Sequence, residues 1–193
     1  RLLSYFRERQ SASQTSQTFN CMDYQEYLSN PLSLRYVDIL ANEIYAQPAD
    51  FEQIFQLIFK LDEKYKWRAA WTCQKISEKH PEWFKESHFF ELKSLVLSSS
   101  NGGLLRGSLS ILNNIAFPNP LPVDLLNACY DWMISPKYPI AVQAISMKLI
   151  YKFCVLEPEL KQEFISYLEN MDSSCLSAGM IAVSRNTLKL LNK

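Results

Sequence analysis

One helical register returns along this chain at nearly constant spacing. Trp67-Arg68-Ala69-Ala70 recurs as Leu105-Arg106-Gly107-Ser108, as Val142-Gln143-Ala144-Ile145, and as Met180-Ile181-Ala182-Val183. Counted at the second position, the offsets are 38, 37 and 38 residues. Each copy holds an apolar residue, a variable one, small residues, and then an apolar stripe. Small residues at fixed positions let neighbouring helices approach closely. A unit of this length accommodates two helices and a turn, and one such unit alone leaves an apolar face bare, so units must stack to be stable. The expected fold class is therefore all-α, a right-handed α–α superhelix of about four to five helical hairpins. A closed helical bundle shares the amphipathic helices and short loops; the even spacing and recurring register favour the array.

The rest of the pattern fills in the hairpins. Val37, Leu40, Ala41 and Ile44 are spaced for one helix face, and so are Phe51, Ile54, Phe55 and Ile58. Asp50 is the expected cap of that second segment. Trp67 to Lys79 reads as a helix ended by His80-Pro81, because proline forbids continuation. Residues 82–97 read as helical with a break near Ser87-His88, and residues 104–116 as a helix ended by Phe117-Pro118-Asn119-Pro120-Leu121-Pro122. Helices are expected over residues 123–134 and 140–155, over a segment opened by Pro158, and over residues 176–191 after a turn at Asp172-Ser173-Ser174. Residues 10–18 are polar and of low complexity, and such a segment cannot bury a core. Residues 1–21 are accordingly read as an N-terminal appendage, a short helix plus polar linker, and 22–193 as the solenoid domain.

Charge and cysteine usage narrow the function classes. Twenty basic residues balance twenty acidic ones, so there is no global electrostatic pull towards nucleic acid or an anionic membrane. Residues 60–106 alone are mildly basic, at +3. Four glycines occur in the chain, and neither GxGxxG nor GxxxxGK[ST] is among its motifs. Five cysteines lie far apart and never as CxxC; they read as reduced, buried small hydrophobes of a cytoplasmic protein. No apolar run reaches the roughly 18–20 residues that span a bilayer.

Several landmarks carry a family resemblance. Trp67-Arg68-Ala69-Ala70-Trp71, followed by His80-Pro81-Glu82, resembles the Arg-Ala-Ala-Trp helix and His-Pro-Glu exit of a group of small uncharacterised bacterial HEAT-like proteins. Pro139-Ile140-Ala141-Val142, Glu157-Pro158-Glu159 and Ser177-Ala178-Gly179 are similar to later landmarks of that group. The resemblance covers residues 33–193 and implies an armadillo-type superhelix without implying an activity. A more distant similarity links this group to HEAT-like alkylpurine DNA glycosylases, which hold DNA on a basic concave face. No motif maps their catalytic residues onto this chain.

Each candidate site in the sequence has a plainer explanation. His80 and His88 with Glu82 and Glu86 cross a proline break and match no metal-ligand spacing, so His80 is read as a helix-end residue and His88 as a partly exposed one. No cysteine lies beside a histidine in sequence, and no GxSxG occurs. No catalytic residue, metal or cofactor is expected, and the chain is read as a non-enzyme. Trp67 and Trp71, four apart with Arg68 between them, are the binding candidates, together with Arg106 at the equivalent register. Core packing is the plainer account of both tryptophans. The expectation is a scaffold that binds a protein or peptide on its concave face, away from any membrane. Nucleic-acid binding or a degenerate alkylation-repair role is the less favoured alternative, because Gln143 and Ile181 replace arginine in the later repeats.

Overall fold

A computed structural model of the chain describes residues 23–29, 33–172 and 176–193. The appendage expected over residues 1–21, and part of the turn expected at Asp172-Ser173-Ser174, lie outside the described residues. Within them the chain is helical throughout, without a strand. Ten α-helices are described: α1 (Tyr24–Ser29), α2 (Leu34–Ala46), α3 (Phe51–Lys60), α4 (Glu63–Lys79), α5 (Glu86–Ser98), α6 (Gly102–Asn114), α7 (Val123–Ile134), α8 (Ile140–Leu156), α9 (Leu160–Glu169) and α10 (Ala178–Leu191).

From α3 onward they pair as hairpins: α3 with α4, α5 with α6, α7 with α8, and α9 with α10. The second helices then pack on one another in order, α2 on α4, α4 on α6, α6 on α8, and α8 on α10. First helices adjoin less closely, with α5 on α7 the principal contact. Tighter packing on one side bends a stack towards that side, so the second helices form the inner face of the curve. The chain is a helical solenoid, as its repeat implies.

Local chemistry explains the helix ends. Asn101 caps α6 through its side chain, which accepts from the backbone N–H groups of Gly103 and Leu104, both at 3.1 Å. The Ser177 hydroxyl caps α10 by accepting from Met180 N at 3.2 Å. Helix α4 ends at His80, ahead of Pro81, and a 3-10 turn over Pro81–Trp83 follows.

The structure departs from the sequence pattern at several element ends. Helix α4 begins at Glu63, four residues before Trp67, because Asp62 offers its carbonyl to Tyr65 N and Lys66 N. The break expected near Ser87-His88 falls earlier, at Phe84-Lys85, and His88 lies within α5. Pro158 precedes α9 in a turn instead of opening it. Asp50 does not cap α3 through its side chain. Its backbone is already helical, in a 3-10 turn, and its carboxylate accepts from the Tyr24 hydroxyl at 2.5 Å.

The core runs the length of the stack as one cluster. Every inward residue named above for α2 and α3 is buried. Polar ties fix hairpin to hairpin: Tyr45 Oη donates to Lys75 O at 3.0 Å, Asn114 Nδ2 to Ser77 Oγ at 2.9 Å, and Lys93 Nζ to Asp124 Oδ2 at 2.5 Å. The Lys93 bond holds the Asp124 carboxyl below the usual carboxylate range.

Candidate functional site

The open side of the second helices can be read from burial. In the middle of α6, Arg106, Ser110 and Asn113 escape burial while most of their neighbours are sealed. Helix α8 presents Ala144, Lys148 and Tyr151 at the same spacing, and α10 presents Ala182, Asn186 and Lys189. Equivalent positions fall 38 residues apart at each step, so the solvent-facing register runs one residue past the 37-residue step seen between α6 and α8 in sequence.

Charge is segregated between the two layers. The second helices α2, α4, α6, α8 and α10 carry eleven Lys or Arg against four Asp or Glu, and α6, α8 and α10 contain no acidic residue. The first helices α1, α3, α5, α7 and α9 carry three basic residues against eight acidic ones. The neutral chain is thus polarised across its thickness.

Part of that basic charge is engaged internally. Lys66 pairs with Glu63 at 3.0 Å and Lys75 with Glu78 at 3.4 Å. Lys79 lies 4.2 Å from the centre of the Tyr45 ring. Lys152 turns back onto the C-terminus of α6, donating to Leu112 O, Asn113 O and Ile115 O, where a cation offsets the carbonyl end of the helix dipole. Burial pulls the Lys152 ammonium down to about 8. Arg106, Lys148, Arg185 and Lys189 are exposed, and they enter no ion pair among the described residues.

The four residues singled out in the sequence divide between two roles. Trp67 and Trp71 stack with ring centres 6.2 Å apart, and both are half-buried. Trp67 Nε1 donates to Lys64 O at 2.9 Å. A Cβ added at Gly103 would lie 3.4 Å from Trp67 Cβ, so this tryptophan packs against α6 and that glycine leaves room for it. Arg68 Nη1 donates to Leu28 O at 2.8 Å, and its guanidinium carbon lies 4.7 Å from the Tyr65 ring centre. It anchors α1 to α4. Gln143, at the same sequence register, likewise binds backbone, donating to Ser135 O at 3.0 Å and Tyr138 O at 2.9 Å. Arg106 is the member of the group that stands on the open face, one helix away from the other three.

Lys148, Arg185 and Lys189 were missed by sequence reading. Counting charge along thirds of the chain averages first and second helices together and hides the segregation. Counting it helix by helix, within the repeat, reveals it.

Both histidines serve the fold. His88 is 3% exposed, which corrects the partly exposed reading. Its Nδ1 accepts from Lys85 N at 3.1 Å, closing the start of α5, and its Nε2 lies 3.1 Å from Glu52 Oε2. Burial raises the Glu52 carboxyl, but hydrogen bonds from Gln56 and His88 outweigh it and hold the carboxyl below its ordinary value. The Phe55 ring stands 4.3 Å from His88, which explains its burial. His80 stacks on Trp83 at 4.4 Å and pairs with Glu82 at 2.9 Å. Cys73, Cys129 and Cys154 are free and buried; burial pushes all three thiols up, Cys154 to about 11. Cys21 and Cys175 lie outside the described residues. Among the described residues no group of three or more His, Cys, Asp or Glu side chains is placed to hold a metal ion, and no helix is long and apolar enough to cross a membrane.

A family model described as a HEAT repeat domain matches residues 24–191. No curated protein and no solved structure matches the chain.

Proposed function

The chain belongs to the HEAT repeat domain family, and from that premise we propose that it is a non-enzymatic scaffold whose second-helix face binds a protein or peptide partner. The observation that carries this reading is the layer α4, α6, α8 and α10, packed side by side with no other described helix across its open side. A curved stack of this kind offers an extended surface without a deep pocket. The described thiols, all buried and raised above their ordinary values, are unsuited to nucleophilic work. Free, buried cysteines fit a reducing compartment such as the cytoplasm.

Nucleic-acid binding is the weaker reading. Arg68, one of the two arginines that suggested it, is engaged with Leu28 O. A photo-crosslinking residue at Asn113, on the second-helix face, should capture a defined protein in cells, whereas the same residue at Asn127, exposed on α7, should not. Equal capture from both positions, or from Asn127 alone, would place the partner elsewhere.

A further inference from the structure

We infer that the segment seated on this face is acidic: an extended, Asp/Glu-rich stretch of protein chain laid across α6, α8 and α10. The inference rests on the scaffold reading and adds the chemistry of the partner. Its basis is the unpaired charge. Arg106, Lys148 and Lys189 stand at the solvent-facing register of three successive second helices that carry no acidic residue among them, and Arg185, at the register of the buried Leu109 and Met147, is exposed at the edge of that face on α10. Exposed cations that enter no ion pair among the described residues are the ones left to meet an anionic ligand.

Spacing fits an extended chain. Packed helices lie about 8–10 Å apart, and a strand rises about 3.3 Å per residue, so cations on successive helices meet about every third residue of a crossing segment. The floor between them is small where Ala141, Ala144, Gly179 and Ala182 line it, so a crossing backbone can come close. Tyr151, half-buried, follows Lys148 by three residues on α8 and so lies on the same helix face.

Charge also selects among anions. Duplex DNA carries a charge about every 1.7 Å and would extend well past four cations. The overall charge of the chain is zero and its first-helix layer is acidic, so a long polyanion gains little beyond the patch. A short acidic peptide stays within it.

The test is fluorescence anisotropy with dye-labelled deca-glutamate, deca-lysine and a ten-nucleotide oligothymidine, at low salt and at 0.5 M salt. Deca-glutamate should bind at low salt and weaken about tenfold or more at high salt, as screening requires. The double variant K148E/R185E should weaken it about tenfold or more, each tenfold step corresponding to about 1.4 kcal/mol. Asp131→Lys on α7 should not weaken it. The inference is overturned if deca-glutamate does not bind, if K148E/R185E binds it as well as the native chain, or if deca-lysine or oligothymidine binds equally well. A dimer in light scattering that K148E/R185E dissolves would assign the face to the acidic layer of a second copy, and would overturn it too. A non-acidic partner crosslinked from Asn113 would end the acidic assignment and leave the scaffold reading standing.

Discussion

Gly107 on α6 sits against Ala70 on α4, two second helices in close contact, and substitution there probes the stack directly. A Cβ at this position would lie 3.0 Å from Ala70 Cβ and 3.3 Å from Ala70 C. Carbon atoms prefer about 3.5–4.0 Å, so the added methyl forces α4 and α6 apart by about half an ångström. In an isolated helix Gly→Ala is stabilising by about 1 kcal/mol. Overpacking a tight core contact costs about 1–3 kcal/mol, and here the opposing atoms are a short side chain and backbone that cannot swing away. Gly107→Ala should therefore be destabilising by about 1 kcal/mol net, within that range. Ala70→Gly alone should cost about 2 kcal/mol, from lost helix propensity and one buried methyl. The double variant moves the methyl across the gap, so the two changes should couple favourably by about 1 kcal/mol. The rescue stays partial, because the Ala70 backbone remains close. Urea denaturation of the four proteins measures this. If Gly107→Ala is more stable by the full helix-propensity gain and the double variant is additive, α4 and α6 do not touch here and the stacking order is wrong.

Three further outcomes are expected. Replacing His88 by leucine strands the part-buried Lys85 N–H and breaks the link to Glu52, and should cost about 1–3 kcal/mol by chemical denaturation. Lys152 titrates at about 8 in the folded chain against 10.5 in its ordinary state. The unfolded chain therefore binds more protons between those values, and this group makes stability rise with pH across that window; the native protein should gain on Lys152→Met between pH 8 and 10 in paired denaturation curves, and a constant difference would refute the burial. The variant K148E/R185E should leave stability within about 0.5 kcal/mol of native, since neither side chain enters an ion pair among the described residues, so its binding defect reads as recognition.

Much of the architecture was legible because stacking demands a repeat. Small residues must return wherever second helices touch, and Ala70 and Gly107 do so one unit apart. What sequence missed is what depends on contacts between units. Arg68 looks like a free basic side chain until Leu28 O is found beneath its guanidinium. His88 looks exposed beside charged neighbours until Phe55 and Glu52, 33 and 36 positions earlier, close over it. The start of α4 at Glu63 was hidden because its first turn is polar, and helix periodicity is read from apolar residues. The open face was half legible: Arg106 was found, while Lys148, Arg185 and Lys189 became visible once each helix was assigned to a layer.

An amide chemical-shift map of the native protein titrated with deca-glutamate tests most directly whether the second-helix layer is the working surface. The account predicts shifts concentrated on α6, α8 and α10, around Arg106, Lys148 and Lys189, with α5 and α7 silent. Shifts centred on the first helices would contradict it.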